Sequence, residues 1–439
     1  MTIINASIEF LTPVHIGSGE TVGPIEYFIK DGKLHKLNMP RFISSLTSEQ
    51  RKSFIDFLDR DDQVKLRTFP QNIAKKEDCD LIIPVSKAIE NEYVEKVKQF
   101  NNRLEINLFP QDGVRKRPYL PGSSLKGAFR TTIVQMIVNK TSADLLKEFL
   151  QNEKSFEAEV VGYKKDIRRD VFKALKIPDI ALDSKDTEIL DCQMYNPRKP
   201  TQGSFDQRMQ VTYSKISRNQ STNKYSFQFS LNEKLMNDRR ANLPTKFTIQ
   251  ELGNSANEHY LRIFHWEKKK FYSNLQSPEF NPFQNLKLES NQFLIRLGRF
   301  GHVESKTIDK IRNPKIRNRQ VDWGKTRTIG NDKYPLGWAI ITIPNMTFIQ
   351  PTIDPNWEPT GIGKKEEVSR SSSTKVNTVS STQRTENKDK GNSNYQTEKK
   401  SNKDFIMNKE KNAKQNDLNK KDEKTKPSLV DLKKKFGGR

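Results

Sequence analysis

The sequence contains little cysteine and no long apolar run. Only Cys79 and Cys192 occur among 439 residues, so neither a disulfide framework nor a zinc site with paired cysteine spacing is predicted. The longest apolar stretches, such as residues 132–138, are far shorter than the roughly 20 residues that cross a bilayer. We therefore expect a fold without an organising metal and without a membrane span. Charge alone would allow a basic tail to bind a membrane surface, but the sequence shows neither a lipidation motif nor a substantial amphipathic helix, so no membrane partner is expected.

Positive charge is in clear excess. The chain has 77 Lys and Arg against 54 Asp and Glu, a formal net charge of +23. Such an excess favours a polyanionic partner, because cations that neutralise phosphates release bound counterions. The N-terminus has neither the basic region nor the apolar core of a secretion signal, so we expect a cytoplasmic protein.

Composition divides the chain near residue 355. Residues 356–439 are rich in Lys, Asn, Ser, Asp and Glu and nearly free of aromatics, which predicts a disordered basic tail. By count, residues 361–439 carry about +10 of the net charge and the rest of the chain about +13. The predicted folded body, residues 1–355, is therefore basic itself, and its two halves would meet near residue 190 (about 1–190 and 191–355).

Periodicity in the body predicts an α+β fold with antiparallel sheet. An Asp31-Gly32 turn flanked by apolar alternation predicts a hairpin. The other predicted elements are strands at residues 3–10, 226–230 and 338–343 and a helix at 41–58. A ring-rich stretch contributes Tyr260, Phe264 and Phe271 to one helical stripe, which favours core packing over RNA binding.

Residues 118–130 give the strongest local signal. Two prolines and a glycine precede Ser123 and Ser124, either of which can cap a helix. At that helix N-terminus free N–H groups and the helix dipole attract an anion, and Lys126 and Arg130 add two cations on one face. The pattern indicates a phosphate-binding site, although from the residues alone an ordinary amphipathic helix with cations facing water is equally possible.

A glycine-rich loop follows the first predicted strand. Its spacing is G-x-G-x-x-x-G, and the next segment looks like a strand, which excludes the dinucleotide-binding fingerprint. The loop suits a close approach of the backbone to a ligand. His15, Gly17, Ser18 and Gly19 are therefore candidate contacts.

A second loop, residues 296–307, alternates glycines with cations and carries one aromatic ring that could stack on a base. The alternative is a basic surface hairpin whose phenylalanine packs inward. Its candidate contacts are Arg296, Gly298, Arg299, Phe300, Gly301 and His302.

The segment Gly324-Lys325-Thr326 looks like the end of an ATP-binding loop. The first glycine of that motif would fall at Arg319, so nucleotide binding is rejected and no cofactor is predicted. Lys325 and Arg327 remain as candidate RNA contacts.

In chain order these features together resemble the RAMP superfamily of CRISPR proteins, which is built on a ferredoxin-like RNA-recognition fold. Within it, the sequence is similar to the fifth Csm-type subunit of type III-A effector complexes. The similarity rests on Thr-Pro-Val-His-Ile-Gly-Ser-Gly at 12–19 and Pro-Gly-Ser-Ser-Leu-Lys-Gly at 121–127. Leu-Gly-Arg-Phe-Gly at 297–301 and Lys-Thr-Arg at 325–327 extend it over about residues 1–345.

The resemblance implies a non-catalytic subunit that binds crRNA, the guide RNA, and caps its 3′ end. It also implies contacts with other Csm-type subunits, especially the adjacent backbone-forming one, and a role in guide maturation and complex assembly in antiviral defence. Related backbone subunits cut RNA with an aspartate before the Pro-Gly box, but here Glu20, Glu26 and Asp31 show no metal-site spacing. The alternative is a RAMP endoribonuclease that processes the guide precursor, with His15 or His302 as general acid or base.

Overall fold

The computed structural model describes residues 2–99, 104–151, 156–164, 166–198, 207–217, 224–275, 278–309, 311, 315–316, 319–320 and 324–359. The predicted tail lies outside these residues from position 360 onwards. None of the helices in the described ranges combines the length and the hydropathy that a bilayer crossing requires.

The strands in these ranges are β1 Thr2–Phe10, β2 Thr21–Val22, β3 Tyr27–Lys30, β4 Lys33–Leu37, β5 Cys79–Pro84, β6 Ile106–Asn107, β7 Tyr119–Leu120, β8 Leu175–Lys176, β9 Ile180–Ala181, β10 Thr187–Tyr195, β11 Gln207–Thr212, β12 Tyr225–Leu231, β13 Gln292–Arg296, β14 Lys315–Ile316, β15 Arg319–Gln320, β16 Arg327–Gly330, β17 Tyr334–Pro335 and β18 Trp338–Thr342. The α-helices are α1 Met39–Ser45, α2 Ser48–Asp59, α3 Gln63–Ile73, α4 Lys87–Lys96, α5 Gly122–Lys140, α6 Ala143–Gln151, α7 Phe156–Val161, α8 Glu233–Asn237, α9 Ile249–Phe271 and α10 Asn281–Gln284.

A five-stranded antiparallel sheet forms the centre of the fold. Its order is β13-β18-β1-β12-β8, and each neighbouring pair runs antiparallel. The chain passes through β1, α5, β8, β12, α9 and β18 in that order, which is the ferredoxin-like β-α-β-β-α-β succession with β13 added at one edge. Helices α5 and α9 pack against each other, and α9 packs on β13. The predicted α+β class with an antiparallel sheet core is confirmed.

Four further sheets occur in the described residues, and two of them are the two-stranded pairs β7-β9 and β14-β15. The other two are larger. The six-stranded one has the order β17-β16-β10-β11-β6-β2, in which the β11–β6 pair is parallel. This sheet and the five-stranded sheet both combine strands from before and after residue 190. The three-stranded sheet, β3-β4-β5, belongs to a segment between β2 and β6 that also contains α1 to α4.

The start of helix α9 and the face that it packs against the core both follow from local sequence patterns. Thr248 caps the helix and forms a reciprocal capping box with Glu251. The predicted stripe of Tyr260, Phe264 and Phe271 is at most 1% exposed, so its assignment to the core is confirmed.

Most local predictions agree with the structure, and the exception is one predicted helix that is interrupted. Strand β1 and the hairpin β3–β4 are confirmed, and Asp31 and Gly32 adopt the left-handed conformation that a tight hairpin turn requires. The helix predicted at 41–58 is instead split into α1 and α2. The break occurs because Thr47 starts a new helix with its own capping box to Gln50.

Candidate nucleic-acid interface

The two glycine-rich loops predicted to bind RNA contact each other directly. The backbone N–H of Arg299 donates to the carbonyl oxygen of His15 at 3.0 Å. Gly298 precedes that contact with φ +83°, and a Cβ added there would lie 2.2 Å from the same oxygen. Only glycine fits this close approach without strain, so Gly298 holds the two loops together.

The His15 ring lies in the interior, not on the RNA-facing surface that we expected. It is 1% exposed, its Nδ1 is 2.8 Å from the carbonyl oxygen of Gln210, and it packs against Phe109 and Phe300. Burial lowers the pKa of His15 to about 4; the Gln210 hydrogen bond opposes this shift and the charge of Arg299 adds to it. His15 is therefore a neutral packing residue near neutral pH.

The exposed part of this surface consists of Gly17, Ser18, Gly19 and Arg299. The Ser18 hydroxyl donates to the Leu108 carbonyl at 2.9 Å and accepts from the loop backbone, which fixes the loop while leaving it open to solvent. Phe300, predicted to stack on a base, is 8% exposed and packs on His15. The inward-packing alternative is therefore the correct one for Phe300.

Two of the predicted RNA contacts, Arg296 and Arg327, belong to a buried charge cluster. Glu267 accepts hydrogen bonds from Arg296 Nη1 at 2.5 Å, from Arg327 Nε and from Trp338 Nε1 at 3.2 Å. Arg327 Nη2 also lies 3.1 Å from a Glu304 carboxylate oxygen. All four charged side chains are at most 2% exposed, so two positive and two negative charges balance inside the core. Neither guanidinium can reach a phosphate on the surface.

The ion pairs of this cluster determine the pKa values of its ionisable groups. Burial by itself raises the pKa of Glu267, but Arg296 and Arg327 outweigh it and lower the value to about 2. His302 is half-buried with its Nε2 shielded from solvent, and desolvation together with the charges of Arg296 and Arg327 lowers its pKa to about 3. Gly301 is buried, whereas Lys325 is exposed. Of these predicted contacts, Lys325 alone presents its charge to solvent.

Helix α5 begins differently from the prediction. Gly122 is its first residue and Pro121 occupies the cap position, so neither Ser123 nor Ser124 is the cap. The Gly122 N–H donates to a carboxylate oxygen of Asp179 at 2.8 Å, so one of the free amides expected for a phosphate already has an anionic partner. A Cβ on Gly122 would lie 2.2 Å from the Ile177 carbonyl oxygen, which explains the glycine.

The two cations of α5 have different roles. Arg130 pairs with Asp170 at 2.8 Å and lies 4.7 Å from the centre of the Phe172 ring, so its charge is already used within the protein. Lys126 is half-buried and forms no ion pair with a described carboxylate. Burial lowers the pKa of Lys126; Asp170 opposes this shift, and Lys176 and Arg130 add to it. Lys126 remains a candidate phosphate contact, and Ser123 beside it is exposed.

The segment 108–111 lies between the glycine-rich loop and the Pro-Gly box. Its first residue receives the Ser18 hydrogen bond, and its Phe109 packs edge-on against the His15 ring. On its other side, the Tyr119 N–H donates to the Pro110 carbonyl at 3.0 Å, three residues before α5 begins. We call the predicted contacts that are exposed, together with the half-buried Lys126, the candidate RNA surface; its members are Gly17, Ser18, Gly19, Ser123, Lys126, Arg299 and Lys325.

Three positioning residues were missed by the sequence analysis. Gln210 is fully buried, and its side chain accepts from the Phe109 N–H at 3.0 Å and donates to Thr187. Asp179 caps α5 from 57 positions away, and Glu267 binds the two buried arginines. No local pattern marks these residues, because each acts on a segment distant in sequence.

The comparison with known families assigns a class. The model of the RAMP superfamily matches residues 7–438, and the chain belongs to this superfamily. Among curated relatives, the CRISPR system Cms protein Csm5 of Methanocaldococcus jannaschii is 29% identical over 202 residues, 44% of this chain and 46% of that protein. The Csm5 protein of Mycobacterium tuberculosis H37Rv is 27% identical over 217 residues, 43% of this chain and 56% of that protein. The matched part thus spans about half the length of these relatives.

Solved structures show the same fold. A chain of the cryo-EM structure of a Csm-crRNA-target RNA ternary complex from a type III-A CRISPR-Cas system aligns with a TM-score of 0.58 and 16% identity, over 78% of this chain and 100% of that one. The crystal structure of T. onnurineus Csm5 aligns with a TM-score of 0.51 and 15% identity, over 76% and 99%. At these identities the likeness establishes the fold.

Proposed function

We propose that this chain is a non-catalytic crRNA-binding subunit of a type III-A Csm effector complex. It would act in the cytoplasm, cap the 3′ end of the guide RNA, contact the adjacent backbone-forming subunit, and support guide maturation and complex assembly. The similarity to Csm5 proteins and the net charge of +23 support this proposal.

The observation that carries the proposal is the junction of the two glycine-rich loops at Gly298. The junction binds the backbone of Arg299 to His15, two residues before the exposed backbone of residues 17–19, so it joins a segment with an exposed cation to a loop open to close approach. Arg299, Lys126 and Lys325 form no ion pair with the described carboxylates, so each can neutralise a phosphate.

The positions of the histidines argue against the endoribonuclease alternative. A general acid or base must come within hydrogen-bonding reach of the substrate and titrate near the working pH. His15 is 1% exposed, and its pKa is lowered to about 4. His302 is half-buried, and desolvation together with the charges of Arg296 and Arg327 lowers its pKa to about 3. Neither histidine has a pKa near neutral pH, and the His15 ring is also too deeply buried to reach a substrate.

The test is binding and cleavage of a labelled guide-like RNA over a salt series, with and without divalent metal. We expect salt-sensitive binding without cleavage products, weakened in the triple variant Lys126→Ala/Arg299→Ala/Lys325→Ala. The matched control, Lys52→Ala/Lys76→Ala/Lys98→Ala, removes three exposed cations that form no ion pair with a described carboxylate. They lie on helix α2, just before β5 and just after α4, outside the candidate RNA surface. Equal losses in both variants would contradict the proposed surface.

Capping of the 3′ end requires a separate measurement. A linear RNA should compete better than a circular RNA of identical sequence, because the circle has no end to bind. Equal competition would contradict end capping while leaving RNA binding intact. Cleavage that disappears in His302→Ala would identify a nuclease instead, and failure to copurify with the other subunits of a Csm complex would contradict the assembly role.

A further inference from the structure

A short loop before the Pro-Gly box, residues 111–118, has a composition that the candidate RNA surface does not account for. Val114 at its tip is 92% exposed, the highest value among the exposed large apolar residues of the described chain. Arg115 and Arg117 are exposed and Lys116 is half-buried. None of these three cations forms an ion pair with a described carboxylate. An exposed apolar side chain thus lies next to three cations that form no ion pair with a described carboxylate.

The loop is held in a fixed shape by one side chain. The Asp112 carboxylate accepts the backbone N–H groups of Val114 at 3.1 Å, Arg115 at 2.5 Å and Arg117 at 3.2 Å. The Asp112 N–H donates to the Arg117 carbonyl at 2.9 Å, which closes the loop. Because these bonds use the backbone, they leave the cationic side chains free. The exposure of Val114 is therefore part of the folded structure of the loop.

The position of the loop places it next to the candidate RNA surface. Gln111 and Pro118 form a β-bridge at its base, and Tyr119 bonds to Pro110 directly below. The segment 108–111 that supports this base also contacts the glycine-rich loop through Ser18. The loop thus projects from the segment that joins the two parts of the surface.

We propose that residues 111–118 are an additional RNA contact, in which Arg115, Lys116 and Arg117 bind phosphates and Val114 packs against an unpaired base. The inference rests on the proposed RNA-binding function. A protein partner is a poorer fit, because it would have to supply a matching cluster of carboxylates for three adjacent cations, whereas the RNA backbone presents a negative charge at every nucleotide. Single-stranded RNA offers closely spaced phosphates together with apolar base faces.

The experiment measures the affinity of the full-length chain for a labelled guide-like single-stranded RNA between 50 and 200 mM salt. The variants are Arg115→Ala/Lys116→Ala/Arg117→Ala, Val114→Ser and the control Lys52→Ala/Lys76→Ala/Lys98→Ala. Each lost phosphate contact reduces the salt slope by about 0.7, so the loop triple variant should lose about 2 units. The ratio of wild-type affinity to variant affinity should therefore be about 16-fold smaller at 200 mM than at 50 mM salt. Val114→Ser should weaken binding without changing the slope.

Circular dichroism melts confirm folding, and Asp112 is retained in all variants to keep the loop closed. A loop triple variant with the slope of the control would overturn the inference while leaving RNA binding by the rest of the surface intact. If the loop triple variant lost binding to another Csm-type subunit while its RNA affinity stayed unchanged, the loop would be a protein contact, and this result would also overturn the inference. Absence of RNA binding by the wild type would overturn the proposed function and this inference together.

Discussion

Replacing Glu267 with glutamine tests the buried charge cluster without changing the volume of the side chain. The wild-type carboxylate neutralises Arg296 and Arg327, which together with Glu304 form a balanced set at most 2% exposed. Removing one charge of a buried pair costs about 3–5 kcal/mol, because the partner is left without compensation. Here two guanidinium groups would face a single remaining carboxylate. We therefore expect a loss of about 4 kcal/mol, a large part of the ~5–15 kcal/mol that stabilises most domains.

Urea unfolding followed by circular dichroism at pH 7 measures this loss. Glu258→Gln is the matched control, because Glu258 lies exposed on the same helix α9, and it should change stability by less than about 0.5 kcal/mol. The pH dependence gives a second readout. The pKa of Glu267 is lowered from 4.5 to about 2, so its contribution is complete above pH 4.5 and is lost as the pH falls towards 2. A Glu267→Gln protein within about 1 kcal/mol of wild type would refute the reasoning.

Three further predictions follow from the contacts around the candidate RNA surface. The pKa of His15 is about 4 in the folded protein against 6.5 in the unfolded chain, so the unfolded chain takes up a proton first as the pH falls. The free energy of unfolding should therefore decrease by on the order of 3 kcal/mol between pH 6.5 and pH 4. Urea unfolding at several pH values should find this decrease missing in His15→Gln. Gly298→Ala should cost more than about 2 kcal/mol in thermal unfolding and weaken RNA binding, because its Cβ would force Arg299 away from the glycine-rich loop. Arg130→Ala should lower stability by about 1–3 kcal/mol and leave the salt slope of RNA binding unchanged, whereas Lys126→Ala should reduce the slope by about 0.7 with little effect on stability. A changed slope in Arg130→Ala would contradict the internal role of that residue.

Elements determined by neighbouring residues were predictable from the sequence. Strand β1 and the β3–β4 hairpin rest on period-two alternation and on an Asp-Gly turn, which are local properties. The break between α1 and α2 also has a local signal, since Thr47 and Gln50 have capping-box spacing. The helix prediction for 41–58 missed it because the segments on both sides of the break have helical patterns of their own, which together look like one helix.

The roles of the arginines were not predictable, because an arginine in a basic loop has the same local pattern whether it faces solvent or the core. Glu267 lies 29 residues from Arg296 and 60 from Arg327, and only the tertiary fold brings the three together. The same holds for His15, whose hydrogen-bond partner Gln210 is 195 residues away. A glycine-rich basic motif therefore predicted the location of the surface but not which side chains face it.

This division of the cations determines how RNA binding should be measured. Counterion release depends only on charges that meet phosphates at the surface, so Arg299, Lys126 and Lys325 should contribute to the salt slope. Arg296 and Arg327 neutralise carboxylates inside the core, and replacing either one should unfold part of the population and lower the apparent affinity. The protein that remains folded should then bind RNA with the wild-type slope. A loss of affinity at one salt concentration would look the same in both groups, whereas the slope separates a phosphate contact from a residue that supports the fold.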